Sequence, residues 1–257
     1  MKVLITAGGT TEPIDSVRSI TNTSTGKLGS LIAESYDKNS DITKIYFVCG
    51  KNSILPKSAK TEVIFVSTVA SLEKAVRKII KEDTVDIIVH SMAVSDYRVE
   101  GIASVASLTK VLNSELIAYG DHQKLITTDY VRSILASSEV FANEDGKISS
   151  DIDDLILRMK KNPKIISLFQ TIAPQTILVG FKLLDQVSHE ELINTAYQLL
   201  IKNRCSFVLA NDLRDIAPEH HIGFLVNGDQ SCQCFETKEE IAAGIVAATM
   251  LKRSGMR

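Results

Sequence analysis

An apolar run, Val3-Leu4-Ile5, meets Thr6 and then Gly8 and Gly9. Thirteen residues after Gly9, Asn22-Thr23-Ser24-Thr25-Gly26-Lys27-Leu28-Gly29 opens an amphipathic stretch through Ile32 and Tyr36. This pattern predicts a buried strand ending in a sharp turn where side chains would obstruct, followed by a helix. Gly26 and Gly29 leave the helix amino end open to close approach, and Ser24 or Thr25 is placed to cap it. Free N–H groups and the positive end of the helix dipole there favour an anion, phosphate or carboxylate. The same residues would also build an ordinary capped crossover with nothing bound.

The rest of the chain alternates strand and helix. Strands are expected at 2–6, 45–48, 62–66, 86–90, 155–160, 176–181 and 206–210, and helices at 26–38, 69–82, 189–203 and 238–252. A further helix is expected from Asn162-Pro163 through Phe169, with Pro163 in its first turn. Residues 223–226 and 232–235 flank Asn227-Gly228, a strong hairpin signal. The fold class is α/β: a doubly wound, mostly parallel Rossmann-like sheet with a small antiparallel hairpin annex, in one domain over 1–257. Residues 101–146 break the rhythm, with a mild helical pattern at 130–141, a turn at Asn143-Glu144-Asp145-Gly146 and a solvated His122. A connection this long reads as a lid, an oligomer contact or a family-specific insert.

Ligands of an open parallel sheet bind beyond the carboxyl ends of its strands. The polar residues expected on that rim are Asn22, Ser91 to Asp96, Lys147, Phe181-Lys182 and Asn211-Asp212. His90, at a strand end, reads as a satisfied core histidine.

Composition excludes several classes. A hydrophobic share of 44%, a charged share of 23% and a net charge of −2 over 257 residues describe a globular protein that does not live on nucleic acid or anionic membrane. No apolar run approaches the roughly 20 residues of a membrane span, and the amino terminus reads as a strand, so the cytosol is the expected location. Cys49, Cys205, Cys232 and Cys234 make no disulfide framework, and Cys232 and Cys234 have no partner at ligand spacing; no metal site is assigned to protein residues. GGTTEP is not GxGxxG, the second strand ends without an acid, and Gly26-Lys27 is followed by Leu28 rather than Ser or Thr. A dinucleotide-dependent reductase is therefore a weak alternative, and a non-catalytic nucleotide-binding protein on the same fold another.

The run GGTTEPIDSVRSITNTSTGKLG closely resembles the opening of the phosphopantothenate–cysteine ligase (phosphopantothenoylcysteine synthetase) family, and the resemblance continues through MAVSDYRV, KISS, KNPKIISL, VGFKLLD and VLAND. It covers nearly the whole chain apart from about 101–146. It implies a homodimeric enzyme of coenzyme A biosynthesis, with 4'-phosphopantothenate and L-cysteine as substrates and CTP or ATP with Mg²⁺ as co-substrate. The carboxylate would be activated as an acyl-nucleotidylate with loss of pyrophosphate, and the cysteine amine would then displace the nucleotide. With no decarboxylase domain ahead of it, the chain is expected to be the free-standing bacterial form, which favours CTP.

By the same resemblance, Asn22 handles the acyl-nucleotidylate, and Ser24 and Gly26 contact phosphate. His90, Ser91 and Met92 present backbone groups to the base, with Asp96 set for nucleotide or cation. Lys147 meets the triphosphate from a mobile segment, and Pro163, Lys164, Ile165, Ile166, Phe181 and Lys182 belong to the nucleotide pocket. Two family lysines are replaced here by Leu199 and Asn203, with Lys202 next door. Lys182 after Phe181, and the KISS segment, lean towards the eukaryotic branch.

Overall fold

Runs such as KVLITA, KIYFVCG and IIVH are apolar at nearly every position, so they need cover on both faces, and a parallel sheet between helices supplies it. A computed structural model describes residues 1–120, 126–137, 141, 147–217 and 220–255. The chain begins with β1 (Lys2–Ala7), a ribbon of β2 (Thr11–Pro13) and β3 (Ser19–Thr21), and α1 (Lys27–Asp37). It continues through β4 (Lys44–Gly50), β5 (Thr61–Val66), α2 (Val69–Glu82) and β6 (Ile87–His90). Next come β7 (Tyr97–Ser104), α3 (Val105–Gly120), α4 (Thr128–Ala136) and β8 (Leu155–Lys161). It closes with α5 (Ile165–Ile172), β9 (Ile177–Leu184), α6 (His189–Asn203), β10 (Phe207–Asp212), β11 (Gly223–Val226), β12 (Cys232–Phe235) and α7 (Lys238–Ser254). Two compact units result: Met1–Thr11, Thr21–Val94 and Lys164–Arg257 form one, and Glu12–Ile20 with Ser95–Pro163 the other.

The first unit holds an eight-stranded sheet in the order β12-β11-β10-β9-β6-β1-β4-β5. The strands from β10 to β5 are parallel, while β11 and β12 are antiparallel additions. The chain winds outward through β4 and β5, returns to β6 beside β1, and winds the other way through β9 and β10. That reversal is a topological switch point between β1 and β6. This is the doubly wound sheet with a hairpin annex that the sequence predicts.

Each face of the sheet has its own core. Ile5, Phe47 and Val89 pack with Ile32 and Tyr36 of α1 and Ile241 and Ile245 of α7. Leu4, Val48 and Ile88 pack with Leu72 and Val76 of α2, Phe169 of α5 and Leu200 of α6. Every such large side chain taken from water contributes about 1.5–3 kcal/mol. The Tyr36 hydroxyl, buried with them, shares a hydrogen bond of 2.7 Å with Thr249 Oγ1 and so ties α1 to α7. The helix starts follow their caps: Thr68, Ser188 and Thr237 accept from the backbone N–H of Ser71, Glu191 and Glu240.

The second unit contains an antiparallel pair, β7 and β8, registered from Tyr97 opposite Lys161 to Ser104 opposite Leu155. Ala103, Ile134 and Phe141 make a small core with Leu108, Val111 and Leu112 of α3. Strand β8 is thus where the alternation places it, but it pairs with β7 outside the parallel sheet that its pattern suggested. Neither β7 nor α3 is anticipated within 101–146. The expected turn at 143–146 and His122 lie outside the described residues.

One local expectation needs correction. Helix α5 starts at Ile165 with Lys164 as its N-cap, so Pro163 precedes the helix rather than sitting in its first turn. In the β11–β12 hairpin, Asn227 N–H donates to Ser231 O at 2.8 Å, and the left-handed residue is Gln230 (φ 65°). Five residues, 227–231, separate the two strands, which run over 223–226 and 232–235 as expected.

Candidate active site

Strand β1 delivers Gly8 to the switch point in a left-handed conformation (φ 76°), and Gly26 at the N-cap of α1 adopts another (φ 70°). Both turns need glycine for space as well as for φ. A Cβ on Gly8 would lie 1.9 Å from Ser53 Oγ, and one on Gly26 would lie 3.1 Å from Gly8 N. Gly9 passes directly beneath Asn22, whose carbonyl oxygen would be 2.0 Å from a Cβ there.

Backbone hydrogen bonds lock these pieces to β6. Ala93 N–H donates to Gly8 O at 2.8 Å, Thr10 N–H to Ala93 O at 3.1 Å, and Asn22 N–H to Thr10 O at 3.2 Å. Ser91 donates through Oγ to Thr6 O at 2.7 Å, and a Cβ on Gly29 would lie 3.0 Å from that Oγ. The first turn of α1 thus rests on the ends of β1 and β6. Asn22, Gly26, His90, Ser91 and Met92, expected together from the sequence, meet around this point.

The amino end of α1 is open. The N-cap Gly26 brings no side-chain hydrogen bond, and Thr25 Oγ1 reaches Lys27 N–H only at 3.4 Å. The cap expected from Ser24 or Thr25 is therefore not the one built; Ser24 and Thr25 are exposed. An uncapped helix terminus lined by glycine backbone suits an anionic group.

His90 is a core residue. It is 8% exposed, shares a hydrogen bond of 2.8 Å with Thr6 Oγ1 and meets the Phe169 ring edge-on, with centroids 5.4 Å apart. Burial pushes its pKa down to about 4, so the ring stays neutral near pH 7 and offers no acid chemistry there. Met92 is buried in the core on the face of α2. Residues here can meet a ligand through backbone groups, as the resemblance implies, because their side chains are occupied inside.

Other predicted residues of this unit are more widely spread. Ile165 is buried, and Ile166 packs against Gly180 of β9, where a Cβ would meet its Cδ1 at 3.0 Å. Phe181 and Lys182, both half-buried, lie on β9 opposite Leu209 and Ala210, and Lys164 is exposed. Two strand-end residues are structural. Asp212 accepts from the backbone N–H of Gln186, Val187 and Arg214, and Asn211 donates to Ile222 O at 2.7 Å. Asn203, standing where the resemblance expects a lysine, accepts from Ser167 Oγ at 2.8 Å and so joins α6 to α5. Cys232 and Cys234 are exposed free thiols on β12.

In the second unit Asp96, Lys147 and Pro163 are exposed. Asn162, expected only as a helix start, is 6% exposed and a hub here. Its N–H donates to Asp96 O at 2.7 Å, its Nδ2 donates to Ser95 O at 3.1 Å, and its Oδ1 accepts from Arg98 at 3.2 Å. Asp15 and Arg18 are engaged here too, and their place in GGTTEPIDSVRSITNTSTGKLG is the only sequence signal for them.

Among the described residues no group of three or more His, Cys, Asp or Glu could hold a metal ion alone. A cavity of about 440 Å³ lies at the opposite end of the sheet, lined by Asp83, Asp86, Thr176 and Arg253, and it is not part of this site. Two of its carboxylates are already engaged, Asp83 by Lys2 and Asp86 by Arg253.

Fold and site together define a doubly wound α/β protein of the Rossmann-like class, with an open helix terminus at its switch point. The model of the DNA/pantothenate metabolism flavoprotein C-terminal domain matches residues 1–115 and 135–251, and the chain belongs to that family. It is 30% identical over 229 residues to the coenzyme A biosynthesis bifunctional protein CoaBC of Thermococcus kodakarensis, covering 89% of this chain and 45% of that protein. The CoaBC protein of Methanocaldococcus jannaschii is 29% identical, with 86% and 42% covered. The chain thus spans less than half the length of these curated relatives. The crystal structure of the DNA/pantothenate metabolism flavoprotein from Streptococcus pneumoniae superposes with a TM-score of 0.81 at 30% identity, covering 98% of this chain and 99% of that one. A Cab2 variant in complex with phosphopantothenate-cysteine shares the fold, with a TM-score of 0.68 at 18% identity and coverage of 99% and 86%.

Proposed function

We propose that the protein is a phosphopantothenate–cysteine ligase of coenzyme A biosynthesis, its two units acting as one ligase domain. Family membership and the coenzyme A biosynthesis named for its relatives support this reading. The observation that carries it is the open amino end of α1 beside the left-handed Gly8 and Gly26 at the switch point.

A carboxylate oxygen of 4'-phosphopantothenate attacks the α-phosphorus of the nucleoside triphosphate, CTP in preference to ATP, and pyrophosphate leaves. The cysteine amine then attacks the acyl carbon, the nucleoside monophosphate departs, and the amine loses its proton. Bringing a carboxylate to a triphosphate demands neutralisation of negative charge, which N–H groups at a helix terminus and lysines provide. In this reading Ser24, Gly26 and the α1 terminus hold phosphate, and the Asn22 amide holds the acyl oxygen without adding charge. Lys147 neutralises the triphosphate; the 90–92 backbone, with 163–166 and Phe181-Lys182, receives the nucleotide. Asp96 would face Mg²⁺ brought with the triphosphate, and the ion would supply charge neutralisation on the leaving pyrophosphate. The enzyme works as a homodimer in the cytosol.

The test is pyrophosphate release with 4'-phosphopantothenate, Mg²⁺ and either CTP or ATP, with and without cysteine. Sustained turnover that needs cysteine and is faster with CTP is expected. Asn22→Asp should stall the acyl-nucleotidylate, and Lys147→Ala should raise the KM for the triphosphate. No release with either nucleotide would leave a binding protein on a ligase fold, and wild-type kinetics in both variants would remove the roles of Asn22 and Lys147.

A further inference from the structure

Asp15 and Arg18 of the quoted motif form a closed unit of their own. The chain turns tightly between them, with Ile14 and Asp15 N–H donating to Arg18 O at 2.8 and 3.2 Å. The Asp15 side chain is fully buried, and its Oδ1 accepts from Val17 N–H at 2.8 Å and Arg18 N–H at 2.6 Å. Its Oδ2 receives Arg18 Nε at 2.9 Å and Nη2 at 2.8 Å, a two-point ion pair that fixes the guanidinium plane.

Both partners also reach across the chain to one residue. Asp15 Oδ2 accepts from Ile148 N–H at 3.1 Å, and Arg18 Nη2 donates to Ile148 O at 2.7 Å. The Ile148 side chain is 1% exposed, while Lys147 beside it is exposed. One residue is therefore held at its N–H, its C=O and its side chain. Its neighbour shares the peptide bond whose N–H Asp15 grips.

We propose that Asp15, locked to Arg18, is a positioning residue that sets where Lys147 presents its ammonium group by clasping the backbone of Ile148. This rests on the ligase reading, in which Lys147 serves the triphosphate. A flexible lysine is a poor electrostatic partner unless its Cα is fixed, since misplacement by an ångström loses much of a preorganised charge interaction. The carboxylate is suited to the task because it accepts five N–H groups at once. A neutral amide of the same shape would present a donor to donors.

Asp15→Asn tests this directly. Amide exchange at Ile148 should accelerate about tenfold while amides of β1 and β6 keep their rates, consistent with loss of a charge-assisted hydrogen bond. The KM for the nucleoside triphosphate should rise about tenfold with the KM for 4'-phosphopantothenate unchanged. Adding Asp15→Asn to Lys147→Ala should cost little further, because Asp15 acts through Lys147. If Asp15→Asn does not fold, Arg18→Lys carries the same measurements, since a single ammonium cannot serve Asp15 and Ile148 O in the same way. Unchanged exchange at Ile148 overturns the clasp whatever the kinetics do. Faster exchange with untouched kinetics, or effects of the two substitutions that multiply, overturns the link to Lys147. Wild-type pyrophosphate release, measured separately, decides the ligase reading itself.

Discussion

His90 shows how a residue at a site can be fixed by the core instead of the ligand. Its ring is neutral in the folded protein until the pH falls to about 4, whereas the unfolded chain takes up a proton near 6.5. The unfolded state therefore binds more protons between these values, and stability present above pH 6.5 is lost as the pH falls towards 4. The loss is on the order of 3 kcal/mol for this one group. His221, buried and likewise pushed down to about 4, adds to the same slope. Urea unfolding at pH 7, 5.5 and 4.5 should show the decline, and His90→Asn should make it shallower. An identical slope in that variant would show that the ring already titrates in the folded state. The role of His90 as a core histidine was legible from its place at the end of an apolar strand. That of Asp15 was not, because its partner Ile148 lies far along the chain and no local pattern announces a carboxylate gripping a distant peptide group.

Helix α1 makes the corresponding point for elements. Its position was readable from the amphipathic run after Gly26, but its cap was not: Ser24 and Thr25 are ordinary capping residues, and the left-handed turn at Gly26 takes the N-cap instead. Gly26→Ala would put a Cβ 3.1 Å from Gly8 N and force a left-handed alanine, costing about 1–2 kcal/mol. It should also raise the KM for the phosphate-bearing substrate. Gly228→Ala meets nothing within 4 Å and should be neutral within about 0.5 kcal/mol. Equal urea midpoints for the two variants would refute the argument from backbone geometry. The helices expected at about 69–82 and 189–203 were legible because a regular apolar stripe runs along each. Helix α3 was hidden for the opposite reason. VASLTKVLNSELIAYG mixes β-branched and small polar residues with apolar ones, and the stripe of Leu108, Val111 and Leu112 becomes visible only against Ile134 and Phe141.

For the molecule as a whole, the doubly wound sheet followed from consecutive apolar runs, while the excursion between β6 and α5 did not. A strand in a two-stranded sheet and one in a buried parallel sheet can share the same short apolar pattern. The two should nevertheless differ in stability. The main sheet carries apolar cores on both faces, whereas β7 and β8 rest on one small cluster. Hydrogen exchange should be about tenfold or more faster across Tyr97–Ser104 and Leu155–Lys161 than across β1, β4 and β6, and uniform protection would contradict this ranking. The excursion also begins and ends at neighbouring peptide groups, since Asn162 N–H meets Asp96 O at 2.7 Å. Such a seam has a consequence for descent. A segment such as 116–134, stitched in beyond it, can lengthen or shorten without any strand of the eight-stranded sheet changing register and without touching Lys147 or the peptide group that Asp15 grips. The family match falls silent over 116–134, beyond that seam, as such freedom would leave it.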